Sequence, residues 1–329
     1  MPVYNAESHL GEALDSMLNQ SYDIQEFIII DDASDDNSSA ILADYAAKDK
    51  RIILTRNMTN LGVTKSLNIG LNQCRGEFIA RMDADDISEP NRIREQVSFL
   101  ESNPEVGLVG SYYTTIEDAP RVIKPPCSHQ NIREKLLLGN CIGHPTIMFR
   151  KSLITEHQII YPNIAYAQDY EFYAQFIKIS RLANLPLTLL RYRVHDGQIS
   201  LDKKEEQTRC ADQTRKRYIS MLIERQVSNE EFETHRMLAY PSARNKNELS
   251  KLANWVNYLD QRKTWSSDIF RTRYNSILEY SIDANGVGLI AKYFDLSSNK
   301  LDRVGVQFLA RYFLAKLKNI TRQKSKGVR

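Results

Sequence analysis

Three features of this 329-residue chain predict an α/β fold with a mostly parallel, doubly wound sheet and a helical C-terminal extension. Two apolar runs end in acid: Glu26-Phe27-Ile28-Ile29-Ile30-Asp31-Asp32 and Phe78-Ile79-Ala80-Arg81-Met82-Asp83-Ala84-Asp85-Asp86. Segments with helical spacing alternate with these runs. From about residue 201 the chain turns polar and charged, keeps apolar residues at helical spacing and shows few turn signals.

Each element follows from its own pattern. Phe27 to Ile30 is an unbroken apolar run rich in β-branching, which suits a strand buried on both faces. Turn formers continue through Asn37, and Ser38 to Ala47 then places Ile41, Leu42, Tyr45 and Ala46 at helical spacing. Arg51-Ile52-Ile53-Leu54-Thr55 reads as the next strand. Val63 to Leu71 reads as a helix after the Asn60-Leu61-Gly62 turn. Such alternation builds right-handed βαβ units. Ligands of an open α/β sheet bind at the carboxyl ends of its strands, so both acidic ends face one crevice. Farther on, Asp169 opens a helix bearing Phe172, Phe176 and Ile179, and Leu187 to Val194 forms an apolar strand. Lys203 to Arg225 and Trp255 to Arg262 are helical. The divisions expected are 1–200, carrying the site, and 201–329, the extension.

Composition narrows the class. With 42% hydrophobic residues the chain can bury a sizeable core. No apolar run is long enough to span a bilayer, and no signal peptide opens the chain. Cys74, Cys127, Cys141 and Cys210 are scattered, without a C-x-x-C pair, which argues against zinc or disulfide frameworks and for a reducing cytosol. Residues 311–329 hold seven Lys or Arg and no acid. Removing them from 44 basic residues leaves 37 against 41 acids, so the body carries −4 and the tail is basic. Phe308, Leu309, Tyr312, Phe313, Leu317 and Ile320 interleave with that charge, as in an amphipathic helix lying on an anionic membrane. A C-terminal helix packed on its own domain is the alternative.

Three carboxylates within four residues repel one another, and a cation between them relieves that repulsion. Hard oxygen donors suit Mg²⁺ or Mn²⁺. A solvated acidic turn is the plainer alternative for an isolated D-x-D. Nucleotidyl transfer would use similar acids, but it needs a Gly-rich phosphate loop that the N-terminal segment lacks. Nucleic-acid binding through the tail is opposed by the acidic body.

The motifs and their order resemble family 2 glycosyltransferases. Met1-Pro2-Val3-Tyr4-Asn5-Ala6-Glu7 is followed by Asp31-Asp32-Ala33-Ser34, Asn60-Leu61-Gly62 and Asp83-Ala84-Asp85-Asp86. Gly143-His144-Pro145-Thr146, Gln168-Asp169-Tyr170-Glu171-Phe172 and Tyr192-Arg193-Val194-His195 continue the series. The resemblance covers about residues 1–200. It implies a GT-A fold, a UDP-sugar donor, a divalent cation, and inversion at the anomeric carbon. It also implies a glycan or lipid-linked oligosaccharide acceptor, as for bacterial transferases that extend lipooligosaccharide, O-antigen or capsule chains. Three departures stand out. The first strand is short at Met1, Ala33 replaces the usual Gly, and Gln168 replaces the usual Glu.

Carried onto this chain, the resemblance makes Asp85 a direct metal ligand and turns Asp83 toward ribose and metal. Pro2 and Tyr4 line the nucleotide site, with Tyr4 stacking on a pyrimidine, while Asp32 accepts its ring N–H. Tyr4 as a core aromatic is the alternative. Asp31 is expected to orient its loop by Asx-type bonding. Asp86 serves metal or acceptor, or else is the N-terminal acid of the helix after Pro90. Asp169 is the general base, its pKa lowered by the helix dipole, or a plain N-cap. His195 completes the cation's shell or is a satisfied loop histidine, and His144 shapes the acceptor side. Arg81 pairs with a carboxylate or approaches the nucleotide.

Overall fold

The computed structural model describes residues 1–285 apart from 118, 165, 195–202, 243 and 263–267. Three strands form a parallel sheet in the order β1 (Pro2–Val3), β2 (Phe27–Asp31), β3 (Ile52–Arg56). Helices α1 (Leu10–Leu18), α2 (Ser38–Lys48) and α3 (Val63–Gln73) alternate with them. This is the βαβ winding that the apolar runs predict, and β2 is buried along its whole length. The short first strand is also present. Its Met1 amine donates to the Ile28 carbonyl at 2.8 Å.

A second, mixed sheet continues the fold. Its strands are β4 (Phe78–Ala80), β5 (Ile87–Ser88), β6 (Val106–Ile116), β7 (Val122–Ile123), β8 (Met148–Arg150) and β9 (Arg181–Arg193). The order is β4-β8-β6-β9-β5, with β7 on β6. Here only β6 and β9 run parallel; β4–β8, β6–β8, β6–β7 and β5–β9 are antiparallel. Between these strands lie α4 (Arg92–Ser102), α5 (His129–Leu136), a 3₁₀ turn at His144–Thr146, α6 (Lys151–His157) and α7 (Gln168–Phe176). The acids at 83–86 thus sit in the loop between β4 and β5.

The described part of the C-terminal segment is helical, as its spacing predicts: α8 (Lys204–Leu222), α9 (Asn229–Ala239), α10 (Lys246–Gln261) and α11 (Asp268–Asn285). Capping boxes Ser228/Glu231 and Asn245/Glu248 start α9 and α10. Each satisfies backbone donors that the first turn leaves orphaned. These helices share one apolar core with the rest: Leu71, Ile79 and Phe149 join Ile219, Leu252 and Phe270 in a single cluster. Trp255 is a core residue, 6% exposed, rather than the wall of a groove. The tail, Trp265 and His195 lie outside the described residues. No helix among the described residues is long and apolar enough to cross a membrane.

A cavity of about 300 Å³ lies between β2, α1, α3 and β4, lined by Met1, Leu14, Ile28, Leu71, Phe78 and others. Its lining is largely core side chains, and the carboxylates of 83–86 are not among them. The departure at Ala33 has a local cost. Ala33 adopts φ 62, the left-handed region that a Cβ disfavours. Removing that strain gains about 1–2 kcal/mol, offset by about 0.5–1 kcal/mol of extra glycine entropy. Ala33→Gly should therefore raise stability by about 0.5–1 kcal/mol, read as a higher midpoint in thermal unfolding. An unchanged or lowered midpoint would show that the strain is relieved elsewhere.

Candidate active site

The acid loop is built around two buried guanidinium groups. Asp83, Asp85 and Asp86 bring carboxylate oxygens within 4.8 Å of one another. Arg81, 7% exposed, forms a close ion pair with Asp83. Arg92 is fully buried and donates to Gln96 Oε1, Met82 Sδ and the carbonyls of Arg81 and Ile147. Burial, with repulsion from Arg81, pushes its pKa down to about 9 against the pull of Asp86 and Asp83. Asp86 is also fully buried. Its Oδ1 accepts from the Arg193 amide at 2.9 Å, while Oδ2 has no protein partner. Burial, then repulsion from Asp83 and Asp85, pushes Asp86 up to about 8. Burial likewise raises Asp83, against the pull of Arg81. The helix-start alternative for Asp86 is overturned: Asn91 holds the cap position of α4, and Asp86 bonds to β9 instead.

This donor set fits a hard divalent cation. All three groups offer oxygen, and an orphaned buried oxygen among clustered acids gains most from a cation. Asp85 and Asp86 are further held by Arg193, whose side chain donates to the Asp85 carbonyl at 2.8 Å.

On the side that the resemblance assigns to the nucleotide, Tyr4 follows β1 and is 50% exposed, which removes the core-aromatic alternative. Pro2 lies beside it in β1. Asp32 is buried and already accepts three bonds, from Asn57 Nδ2 at 2.7 Å, Leu61 N at 2.9 Å and Gly62 N at 2.8 Å. An ionised carboxylate offers about four acceptor directions, so about one remains for a base N–H. Gly62 makes this turn possible at φ 87. Asp31 orients its loop as an Asx-type acceptor, from Ser34 N at 3.0 Å and Ser39 Oγ at 2.6 Å.

Across the site stands Asp169 in the first turn of α7. Its Oδ1 accepts from the Tyr170 amide at 2.7 Å and its Oδ2 from Asn140 Nδ2 at 2.6 Å. Phe172 anchors this helix, stacked on Tyr161 at 4.1 Å and against Phe149 at 5.3 Å. The expectation that the helix dipole lowers the Asp169 pKa is corrected. Burial raises it, outweighing the backbone bond from Tyr170, the charge of Arg81 and the bond from Asn140. The plain N-cap alternative also fails, because Ala167 holds the cap position. His144 Nε2 meets the Tyr161 hydroxyl at 3.0 Å, and burial with Arg81 holds its ring neutral. Arg81 thus acts on the acid loop, Asp169 and His144 alike.

Arg92, Arg193, Asn57 and Asn140 are contributors that sequence reasoning assigned no role. Arg193 lies inside the Tyr192-Arg193-Val194-His195 motif, the one signal that could have marked it. Asn57 and Asn140 carry no local pattern, because Asp32 and Asp169 are distant in the chain, and Arg92 reaches the carbonyls of Arg81 and Ile147.

Comparison with known proteins follows the same lines. Residues 1–155 match the model of glycosyl transferase family 2. An uncharacterized glycosyltransferase of Haemophilus influenzae is 35% identical over 233 residues, 67% of this chain and 72% of the relative. The O-antigen biosynthesis glycosyltransferase WbnJ of Escherichia coli is 32% identical, over 60% of this chain and 78% of its own. Among solved structures, S. aureus TarS 1-349 in complex with UDP-GlcNAc aligns with TM-score 0.54 at 18% identity, covering 86% of this chain and 87% of that one. The mannosyltransferase PcManGT of Pyrobaculum calidifontis, in complex with GDP-Man and Mn²⁺, aligns at 0.52 and 17%, covering 97% and 85%. These structures share the GT-A fold with this chain. On its sequence, its fold and these relatives, the chain belongs to glycosyl transferase family 2.

Proposed function

We propose that the protein is an inverting, metal-dependent transferase that moves a hexose or N-acetylhexosamine from a UDP-sugar to a hydroxyl of a growing surface glycan or glycolipid. The observation that carries this assignment is the acid loop with its orphaned Asp86 oxygen, electrostatically linked through Arg81 to Asp169. The UDP-GlcNAc complex of TarS and the O-antigen role of WbnJ support the donor and acceptor classes. The Mn²⁺ of PcManGT supports the cation, although its donor is GDP-Man.

Asp85 and Asp83, with Asp86, would hold Mn²⁺ or Mg²⁺, and His195 remains a candidate ligand outside the described residues. The bound cation would stabilise charge on the departing diphosphate. Tyr4, Pro2 and Asp32 hold the uridine, with Tyr4 stacking on the base. The acceptor oxygen bonds to the anomeric carbon as the bond from that carbon to the diphosphate oxygen breaks. Asp169 takes the acceptor proton. A raised carboxylate pKa makes it a stronger base for that transfer. His144, held neutral beside Tyr161, shapes the acceptor side. We place the enzyme in the cytosol, with its basic tail on the anionic inner face of the membrane, beside a lipid-linked acceptor.

Screening nucleotide sugars for diphosphate release, with and without Mn²⁺, tests the assignment directly. Asp85→Ala should abolish cation-dependent transfer and leave the circular dichroism spectrum unchanged; full activity, or wild-type activity in excess chelator, would refute the metal role. Asp169→Asn should lower turnover by about 10² or more while calorimetric donor binding survives. Because burial raises Asp169, wild-type turnover should be lost on acidification at a midpoint above the ordinary carboxylate value of about 4. The sign follows from the base acting only when ionised. For the tail, full-length protein should float with anionic liposomes at low salt and not at high salt. Binding that persists after deletion of residues 311–329 would count against the membrane role.

A further inference from the structure

Side chains from the helices after Lys204 reach α5 and the short loop that follows it, residues 137–142, which leads to the 3₁₀ turn. That loop carries Asn140. Its Nδ2 donates to Asp169 and its Oδ1 accepts from the Ile142 amide at 3.1 Å. These two bonds fix which way the amide points, because only oxygen can face an N–H and only nitrogen a carboxylate.

The base of the loop is held from the C-terminal side. Tyr218 of α8 donates to the Arg133 carbonyl at 3.0 Å. His235 of α9 meets the Leu137 carbonyl through Nε2 at 2.7 Å, and Trp255 of α10 donates through Nε1 to His235 Nδ1 at 3.1 Å. An indole only donates, so Nδ1 is an acceptor and Nε2 carries the proton toward Leu137. All three side chains are buried. From α7, Tyr170 donates to the Leu136 carbonyl, and Glu171 pairs with Arg217 of α8 at 2.6 Å.

We propose that the C-terminal helices position the catalytic base: the Trp255–His235–Leu137 relay holds the loop so that Asn140 aims the Asp169 carboxylate at the acceptor hydroxyl. This rests on the assignment of Asp169 as base. Asn140, His235 and Trp255 are positioning residues, and the extension is part of the active site. The charged or titratable groups acting on Asp169 besides these are Arg81, Tyr161 and Tyr173. All three stay unchanged in the variants below.

The test is carbon-13 NMR of protein labelled at aspartate, with Asp169→Asn assigning the Asp169 carboxyl signal. Asn140→Ala removes a donor to the ionised form, so the Asp169 midpoint should rise by about one pH unit. Turnover on the UDP-sugar found in the screen should fall by about tenfold to a hundredfold. The donor KM should stay within about twofold, since only the base is misplaced. His235→Phe and the milder Trp255→Phe should move the midpoint by a smaller amount. Glu230→Ala, an exposed change on the same helix as His235, should not move it. If His235→Phe does not fold, Trp255→Phe carries the remote arm. An unmoved midpoint in Asn140→Ala, or in the folded remote variants, overturns the proposal. Full turnover in Asp169→Asn would instead sink the base assignment, whichever way the midpoints move.

Discussion

Three carboxylates crowded into one half-buried loop are the constraint on which the surrounding structure depends. Two like charges about 4 Å apart repel by about 4 kcal/mol at an effective dielectric of about 20. Asp83, Asp85 and Asp86 therefore need compensation, and the fold supplies it from beneath and from the side. Arg81 pairs with Asp83, Arg92 is buried below the loop, and the backbone amide of Arg193 caps Asp86. Burial and mutual repulsion raise Asp83 and Asp86, so the guanidinium groups relieve the crowding only in part. That residual strain, with one orphaned oxygen, is what a divalent cation would relieve.

The loops flanking this charge are held by short polar side chains. Asp32 gathers Asn57, Leu61 and Gly62 into one turn, and Asp31 gathers Ser34 and Ser39 into another. Asn5 and Ala6 are tied in turn to Ser34 and Ser38. The carboxyl ends of β1, β2 and β3 are thereby fixed as one edge. A rigid edge of that kind presents an exposed Tyr4 without losing much entropy when a ring stacks on it.

The opposite wall owes its rigidity to packing. Phe172 touches Tyr161, Phe149 and Phe176, contacts worth about 0.5–1.5 kcal/mol each beyond burial. The same core continues into α8, α9, α10 and α11. One consequence is electrostatic. Dense apolar packing around α7 excludes water, so Asp169 is harder to ionise than a surface carboxylate, despite the helix start and the Asn140 bond.

Much of this was legible in the chain itself. The parallel β1–β3 winding followed from period and turn residues, because a strand buried on both faces must be apolar throughout, and Phe27 to Ile30 is. The acids at 83–86 were legible because several charges in succession at a strand end have few other reasons to exist. The sign of the Asp169 shift was not, since local reasoning sees the helix dipole but not the burial. Nor was the antiparallel share of the second sheet, which depends on β8 entering between β4 and β6. Asp86 meets Arg193 across 107 residues, and Asp169 meets Asn140 across 29. By itself the sequence determined which groups could do the chemistry and on which strand ends they sit, because those follow from local periodicity. Only the tertiary structure decided their charge states and their partners, because desolvation and hydrogen bonding depend on which distant segments pack around them.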